Sequence, residues 1–259
     1  MNRIDHAFQK GKVFIPFITC GDPDLETTKK LVLAMAEEGA DLIELGIPFS
    51  DPTAEGPVIM EASARALSSG TTTDKIFAMV RELRDALEIP LVFMTYANVV
   101  YSYGKERFAL NAKEAGIDGI ILPDVPFEEK EEFEDVFLAN GIYLISMIAP
   151  TSESRIRTIA KNAKGFLYIV SSLGVTGVRS TITTDIPSMV KLVREASSIP
   201  CAVGFGISEP QQAKTMAEYS DGAIVGSAIV RIAAEGGNET ESRLRSYVKE
   251  MSDAVHSLN

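Results

Sequence analysis

The sequence predicts an α/β fold: a single-domain, closed (β/α)8 barrel (the TIM barrel) with one extra N-terminal helix. Three observations lead there. Eight short apolar runs alternate with segments of helical spacing. The runs lack the polar–apolar alternation of a sheet with one wet face, which suits parallel strands covered on both sides. A length of 259 residues is ordinary for such a barrel as one domain. A doubly wound sheet would accept the same alternation, but eight regular units in this length favour closure. Nothing reads as a linker or low-complexity segment, so residues 1–259 are taken as one barrel domain.

The elements follow in order. Residues 2–11 place Ile4 and Phe8 four apart, a short amphipathic helix able to plug one end of a larger fold. Val13 to Thr19 reads as the first strand despite Pro16, which is awkward in a central strand. Leu25 to Glu38 is a helix, and Asp41 to Leu45 the second strand. Residues 58–69 and 73–87 read as helices, Pro90 to Thr95 as the third strand, and Lys105 to Ala115 as a helix. Asp118 to Leu122 is the fourth strand, Glu128 to Ala139 a helix, Ile142 to Ile148 the fifth strand, and Glu153 to Ala163 a helix. Phe166 to Val170 is the sixth strand, followed by the long polar connection 172–185, a lid candidate in a barrel. Ile186 to Ala196 is a helix, Cys201 to Gly204 the seventh strand, and Pro210 to Glu218 a helix. Gly222 to Val225 is the eighth strand, a short helix opens at Gly226, and the last helix covers about 239–256.

Composition narrows the function. A net charge of −11 argues against nucleic acid or an acidic membrane as the main partner. Two cysteines, Cys20 and Cys201, fit a reduced cytoplasmic protein and read as packing residues. No signal peptide is expected at the N-terminus, and no apolar run approaches the roughly 20 residues that span a bilayer. His6 and His256 stand near the termini without a cluster at ligand spacing, which disfavours a metal site and a Ser-His or Cys-His nucleophile system.

The chemistry concentrates at Asp41 to Pro57. Its apolar run carries Glu44, a carboxyl that is costly inside a strand unless it has a partner or a task. Leu42, Glu44 and Gly46 share one side of the strand, and Ile43 and Leu45 the other. The latter pair should pack on helices, so Glu44 points into the barrel mouth. Glu55 follows on the next loop, and two carboxyls at a strand end can divide acid and base work. Asp22, Asp51 and Asp124 also end strand–loop turns beside prolines, where their ordinary use is to bond nearby backbone N–H groups. Glycine-bearing turns follow the last three strands: Gly174 to Gly177, Gly204 to Ser208, and Gly226-Ser227 opening a helix. Such turns, with a helix N-terminus, suit a phosphate. Phe17, Tyr96, Tyr168 and Phe205 lie at or near strand ends, where they could line a pocket for a flat ring or serve as core.

These residues carry a resemblance. Phe14 to Pro23, Leu42 to Pro52, Tyr96-Ala97-Asn98, Pro123 to Pro126, Gly174 to Gly177, Gly204 to Ser208 and Gly226 to Val230 resemble, in order, motifs of the tryptophan synthase α-chain family. The resemblance covers essentially the whole chain. It implies cleavage of indole-3-glycerol phosphate to indole and glyceraldehyde 3-phosphate, without metal or organic cofactor in this chain. It implies that Glu44 moves the protons and that a second carboxyl holds the indole N–H. Gly177, Gly206, Gly226 and Ser227 match phosphate-binding positions. Phe17, Tyr96, Tyr168, Thr176 and Phe205 match residues around the indole pocket or its lid. It implies a β-chain partner, which carries pyridoxal phosphate, in an α2β2 complex. One departure stands out: the family's loop usually carries Asp where Glu55 stands, and Thr53 replaces an apolar residue.

Rival readings stay open at this point. An aldolase on the same barrel would want a Schiff-base lysine at a strand end, and no predicted strand carries one. A non-catalytic subunit that only regulates the β chain, and a stand-alone lyase releasing free indole, both fit the same residues.

Overall fold

The computed structural model describes residues 2–171, 185–204 and 206–259. Helix α1 (Arg3–Gln9) precedes β1 (Val13–Thr19), α2 (Leu25–Glu37), β2 (Ile43–Gly46), α3 (Pro57–Ser68), α4 (Thr73–Arg84) and β3 (Leu91–Met94). Two helices follow, α5 (Ala97–Tyr103) and α6 (Lys105–Ala115), then β4 (Gly119–Ile121), a 3-10 turn at Phe127–Glu129 and α7 (Glu131–Ala139). Next come β5 (Tyr143–Leu144), β6 (Ser146–Ile148), α8 (Glu153–Asn162), β7 (Leu167–Val170) and α9 (Ile186–Ala196). The chain ends with β8 (Cys201–Gly204), α10 (Pro210–Tyr219), β9 (Gly222–Val225), α11 (Ser227–Glu235) and α12 (Thr240–His256). Side-chain caps start several of the helices: Asp24, Thr72 and Asp185 accept the N–H of Thr27, Lys75 and Ser188. No described helix is long and apolar enough to cross a membrane.

The strands form one parallel sheet in the order β5-β4-β3-β2-β1-β9-β8-β7-β6. Its two ends, β5 and β6, are separated in the chain only by Ile145, so the order closes on itself and the sheet is a barrel. The expected fifth strand therefore differs in one respect: it is two short segments. Tyr143–Leu144 pairs with β4 and Ser146–Ile148 with β7. The Ile145 N–H still bonds Ile120 O at 2.9 Å. Pro16 sits where the pairing of β1 passes from β9, met by residues 13–16, to β2, met by residues 17–19.

Two apolar layers result. Phe14, Ile18, Ile43, Leu45, Leu91 and Phe93 pack outward against the helices. Val13, Ile15, Phe17, Leu42, Val92, Met94, Ile121, Ile145, Phe166, Tyr168 and Ile224 fill the interior. Helix α1 closes the N-terminal end of the barrel. Its Ile4 is fully buried, and Phe8 stacks at a tilt on Phe166 with centroids 5.3 Å apart. Three side chains hold it there. Asn2 Nδ2 donates to Asp118 O at 2.9 Å, Arg3 reaches Asp118 Oδ1 at 3.0 Å, and the Tyr143 hydroxyl donates to Asp5 at 3.0 Å. At the chain's other end, His256 Nε2 meets Asp41 Oδ2 at 2.7 Å and fixes α12 beside β2.

Asp118 is the charged hub of this end. It is buried, and its Oδ2 accepts from Arg84 at 2.7 Å and from the Leu91 N–H at 3.0 Å. Arg84 is itself mostly buried and donates to the carbonyls of Gly116 and Ile89. Removing the carboxylate would strand that guanidinium. Asp118→Ala is therefore expected to cost about 3–5 kcal/mol of stability, measured as a lower midpoint in urea. An unchanged midpoint would mean that Arg84 is satisfied by its carbonyls alone.

Candidate active site

At the C-terminal end of the strands, one pocket gathers residues from seven elements and two loops. Its lining is Phe17 from β1, Glu44 from β2, Glu55 from the following loop, Ile59 from α3, Met94 from β3, Tyr168 from β7, Gly206 and Ile207 after β8, Ile224 from β9, and Gly226 and Ser227 at the start of α11. Strand geometry explains the convergence. Phe17 and Glu44 are direct partners in the β1–β2 register, and alternate residues face the interior. Glu44 shares its side with Leu42, an interior residue, while Ile43 and Leu45 pack outward.

Glu44 is 1% exposed and its Oε1 has no hydrogen-bond partner among the described residues. Burial pushes its pKa up to about 8, so the carboxyl is neutral below that pH. Burial, then the nearby Glu44 charge, raises the Tyr168 phenol well above its ordinary range. Glu55 is half-buried, and its Oε2 is likewise enclosed and without a partner. Burial raises its pKa to about 7, against a hydrogen bond from Tyr96 that favours the charged form. Two carboxyls in one apolar pocket thus titrate near neutrality, each with one oxygen available to a ligand.

Tyr96, expected as core or around the pocket and its lid, stands behind the carboxyl-bearing loop. It is buried, but it does not line the pocket. Its hydroxyl accepts from the Ala54 N–H at 3.1 Å and donates to Glu55, and its ring lies 5.2 Å from that of Phe49. Tyr96 therefore holds the carboxyl-bearing loop to the end of β3. The next residue is anchored in turn, since the Ala97 N–H donates to Asp124, 3.1 Å from each oxygen. Asp124 does the backbone bonding expected of it, and Asp51 accepts from the Ser50 hydroxyl at 2.5 Å. Asp22 departs from the expectation. It is buried and takes a two-pronged contact from Arg65 of α3, at 2.8 Å on each oxygen. Helix α3 packs beside the first strand's loop and brings a cation that local sequence did not announce.

The opposite end of the pocket is built from backbone. Gly206 has φ +81, a left-handed conformation that favours glycine. Helix α11 begins at Gly226-Ser227 with no side-chain cap, so its first N–H groups are open to a ligand. Two rings flank the pocket, each folded over a glycine of the next strand. A Cβ on Gly46 would come within 2.5 Å of Phe17 Cζ, and one on Gly204 would overlap the Tyr168 hydroxyl.

Of the residues expected from sequence, the structure brings together Glu44, Glu55, Phe17, Tyr168, Gly206, Gly226 and Ser227. Thr176, Gly177, Phe205 and most of the 172–185 connection lie outside the described residues. Sequence reading missed Ile59, Met94, Ile207 and Ile224. Met94 and Ile224 could have been found by carrying the alternation used for Glu44 along β3 and β9. Ile59 required knowing that the first turn of α3 folds over the mouth. Both cysteines are buried, and burial pushes the Cys201 thiol up to about 12 and the Cys20 thiol further.

The comparisons agree on one family. Residues 5–256 match the model of the family described as tryptophan synthase alpha chain. The tryptophan synthase alpha chain of Shouchella clausii is 49% identical over 260 residues, covering 99% of this chain and 96% of that one. That of Thermoanaerobacter sp. (strain X514) is 47% identical over 262 residues, covering 98% and 100%. Among solved structures, the alpha chain from Legionella pneumophila superposes with a TM-score of 0.89 at 37% identity, covering 100% of this chain and 99% of that one. A chain of the tryptophan synthase complex from Pyrococcus furiosus gives 0.83 at 35% identity, covering 93% and 98%.

Proposed function

The chain belongs to the tryptophan synthase alpha chain family, and from that premise we propose that it cleaves indole-3-glycerol phosphate to indole and glyceraldehyde 3-phosphate, a carbon–carbon lyase step of tryptophan biosynthesis. The observation that carries this reading is a pair of carboxyl oxygens, Glu44 Oε1 and Glu55 Oε2, without partners among the described residues and enclosed at one pocket with a helix N-terminus that has no side-chain cap there.

The reaction needs a proton on indole C3 and the loss of one from the hydroxyl on the adjacent side-chain carbon. Neutral Glu44 donates its proton to C3. The positive charge that then develops at the ring N–H is stabilised by ionised Glu55. The carboxylate left on Glu44 takes the hydroxyl proton as the C3–carbon bond breaks, so indole and the aldehyde leave together and Glu44 regains its neutral form. Protons balance within the cycle, and the step as written needs no metal or organic cofactor from this chain. Phe17 and Tyr168 flank the ring. Gly206, Gly226, Ser227 and the first turn of α11 receive the phosphate, with Gly177 from the lid connection. Thr176 and Phe205 complete the indole side.

The whole of residues 1–259 works as one catalytic barrel in the cytoplasm. Its partner is a tryptophan synthase β chain in an α2β2 complex, which takes up the indole and carries the pyridoxal phosphate. Asp51 and the Pro48–Pro52 loop lie toward that contact, and Tyr96 links the same loop to Glu55. The test is indole release from indole-3-glycerol phosphate by the purified chain, with and without its β chain. Slow cleavage that the β chain accelerates is the expected result. Binding of a phosphate analogue without cleavage under either condition would replace this reading with that of a regulatory subunit.

A further inference from the structure

Gly46 sits at the last position of β2, on the interior side, two residues beyond Glu44. It is buried, and its backbone is not in the left-handed region, so any L residue could adopt its conformation there. Conformation therefore gives no reason for a glycine. Space does. A Cβ at Gly46 would lie 2.5 Å from Phe17 Cζ and 2.8 Å from Phe17 Cε2. Real Cβ atoms do not approach that closely, so the ring of Phe17 occupies the volume a side chain would need. On its other flank the same ring is not crowded. A Cβ at Gly226 would stand 3.6 Å from Phe17 Cδ1, an ordinary contact distance. The ring is thus tipped toward β2 and away from the start of α11.

We propose that Gly46 is a specificity-determining position, which sets the tilt of Phe17 and with it the room left for a planar ring between Glu44 and the anion end. The inference rests on the proposed function for the identity of that ring. Phe17 is the register partner of Glu44, so a change in its tilt moves the wall directly beside the acid. A methyl added at Gly46 must displace the ring, and the uncrowded flank at Gly226 lets it turn toward the start of α11. That rotation narrows the slot from the side where ring and phosphate must both fit. The position therefore acts through Phe17 and touches no reacting atom itself.

The test uses indole as the probe. The chain contains no tryptophan, so indole fluorescence excited beyond the tyrosine band reports binding without tryptophan background and without turnover. Gly46→Ala is expected to weaken indole binding at least tenfold. Phe17→Leu combined with Gly46→Ala removes the two ring atoms that clash and is expected to recover at least fivefold of that loss. Wild-type affinity in Gly46→Ala, or a double variant no better than Gly46→Ala, would overturn the proposal, since a purely structural role predicts losses that add. Should Gly46→Ala fail to fold, as judged by circular dichroism, Phe17→Leu alone carries the test. It opens the same volume and should shift preference at least fivefold from indole toward a methyl-substituted indole. Unchanged preference overturns the proposal. Because binding is read directly, a chain that binds indole in this pattern yet cleaves nothing would refute the lyase reading and leave the role of Gly46 standing.

Discussion

Glu44→Gln should lower indole release by about 10³-fold or more, the scale of losing a positioned acid that also acts as base, while making the protein more stable at neutral and alkaline pH. The two effects share one cause. The folded chain holds Glu44 neutral up to about pH 8, whereas an unfolded carboxyl ionises near its ordinary value of 4.5. A group whose folded pKa is raised favours the folded state fully below the unfolded value. That advantage is lost as pH rises through the folded value. Between about pH 4.5 and 8 the native enzyme therefore loses stability on account of Glu44, and glutamine, which cannot ionise, does not. The expected gain is on the order of 4 kcal/mol at pH 8 and near zero at pH 4. Urea titrations of both proteins at the two pH values measure it. An equal midpoint at pH 8 would show that Glu44 is better solvated than its burial implies.

The second large effect concerns Glu55. Its role in the proposed step requires the charged form, which prevails above about pH 7, whereas Glu44 must begin neutral, which prevails below about pH 8. The plot of kcat/KM against pH should be a narrow bell, rising on the Glu55 ionisation and falling on that of Glu44. Because the carboxyls share a pocket, these limbs belong to the pair. Glu55→Gln is expected to lose about 10²–10³-fold, the scale of one preorganised charge-stabilising contact, and to abolish the rising limb while keeping the falling one. A rising limb that survives would assign it to another group. Full activity in Glu55→Ala would remove Glu55 from the chemistry. The glutamate also reaches one C–C bond, about 1.5 Å, further than the aspartate usual in the family. The Tyr96 hydroxyl, bonded to both Ala54 and Glu55, is where this loop is held for the longer side chain.

Much of this was legible in the sequence, for physical reasons. Apolar runs buried on both faces and helices with polar outer faces locate themselves, so the alternation and closure of the barrel could be read directly. Strand parity was enough to aim Glu44 inward. The break at Ile145 was not legible, because a run from 142 to 148 that is apolar but for Ser146 says nothing of which neighbour each half will pair with. Helix α5 was missed because Ala97–Tyr103 is short, with valines and tyrosines that favour strands as readily. For Tyr96 a strand-end aromatic leaves pocket wall and core equally open. Its hydroxyl partner lies 42 residues earlier in the chain, beyond any local pattern. Parity also puts Gly46 on the inward side of its strand, but not the ring of Phe17, from the neighbouring strand, that lies against it.

The plug formed by α1 has a consequence for how the protein is made. The helix leaves the ribosome well before its anchors, which are Asp118, Gly141 and Tyr143, and Phe8 waits for Phe166. At a synthesis rate of about 5–20 residues per second, Ile4 and Phe8 stay uncovered for on the order of ten seconds. A segment synthesised long before its partners is thus among the late ones to dock. During that interval its greasy face is a handle for trigger-type holdases, or for a neighbouring nascent chain when none is at hand.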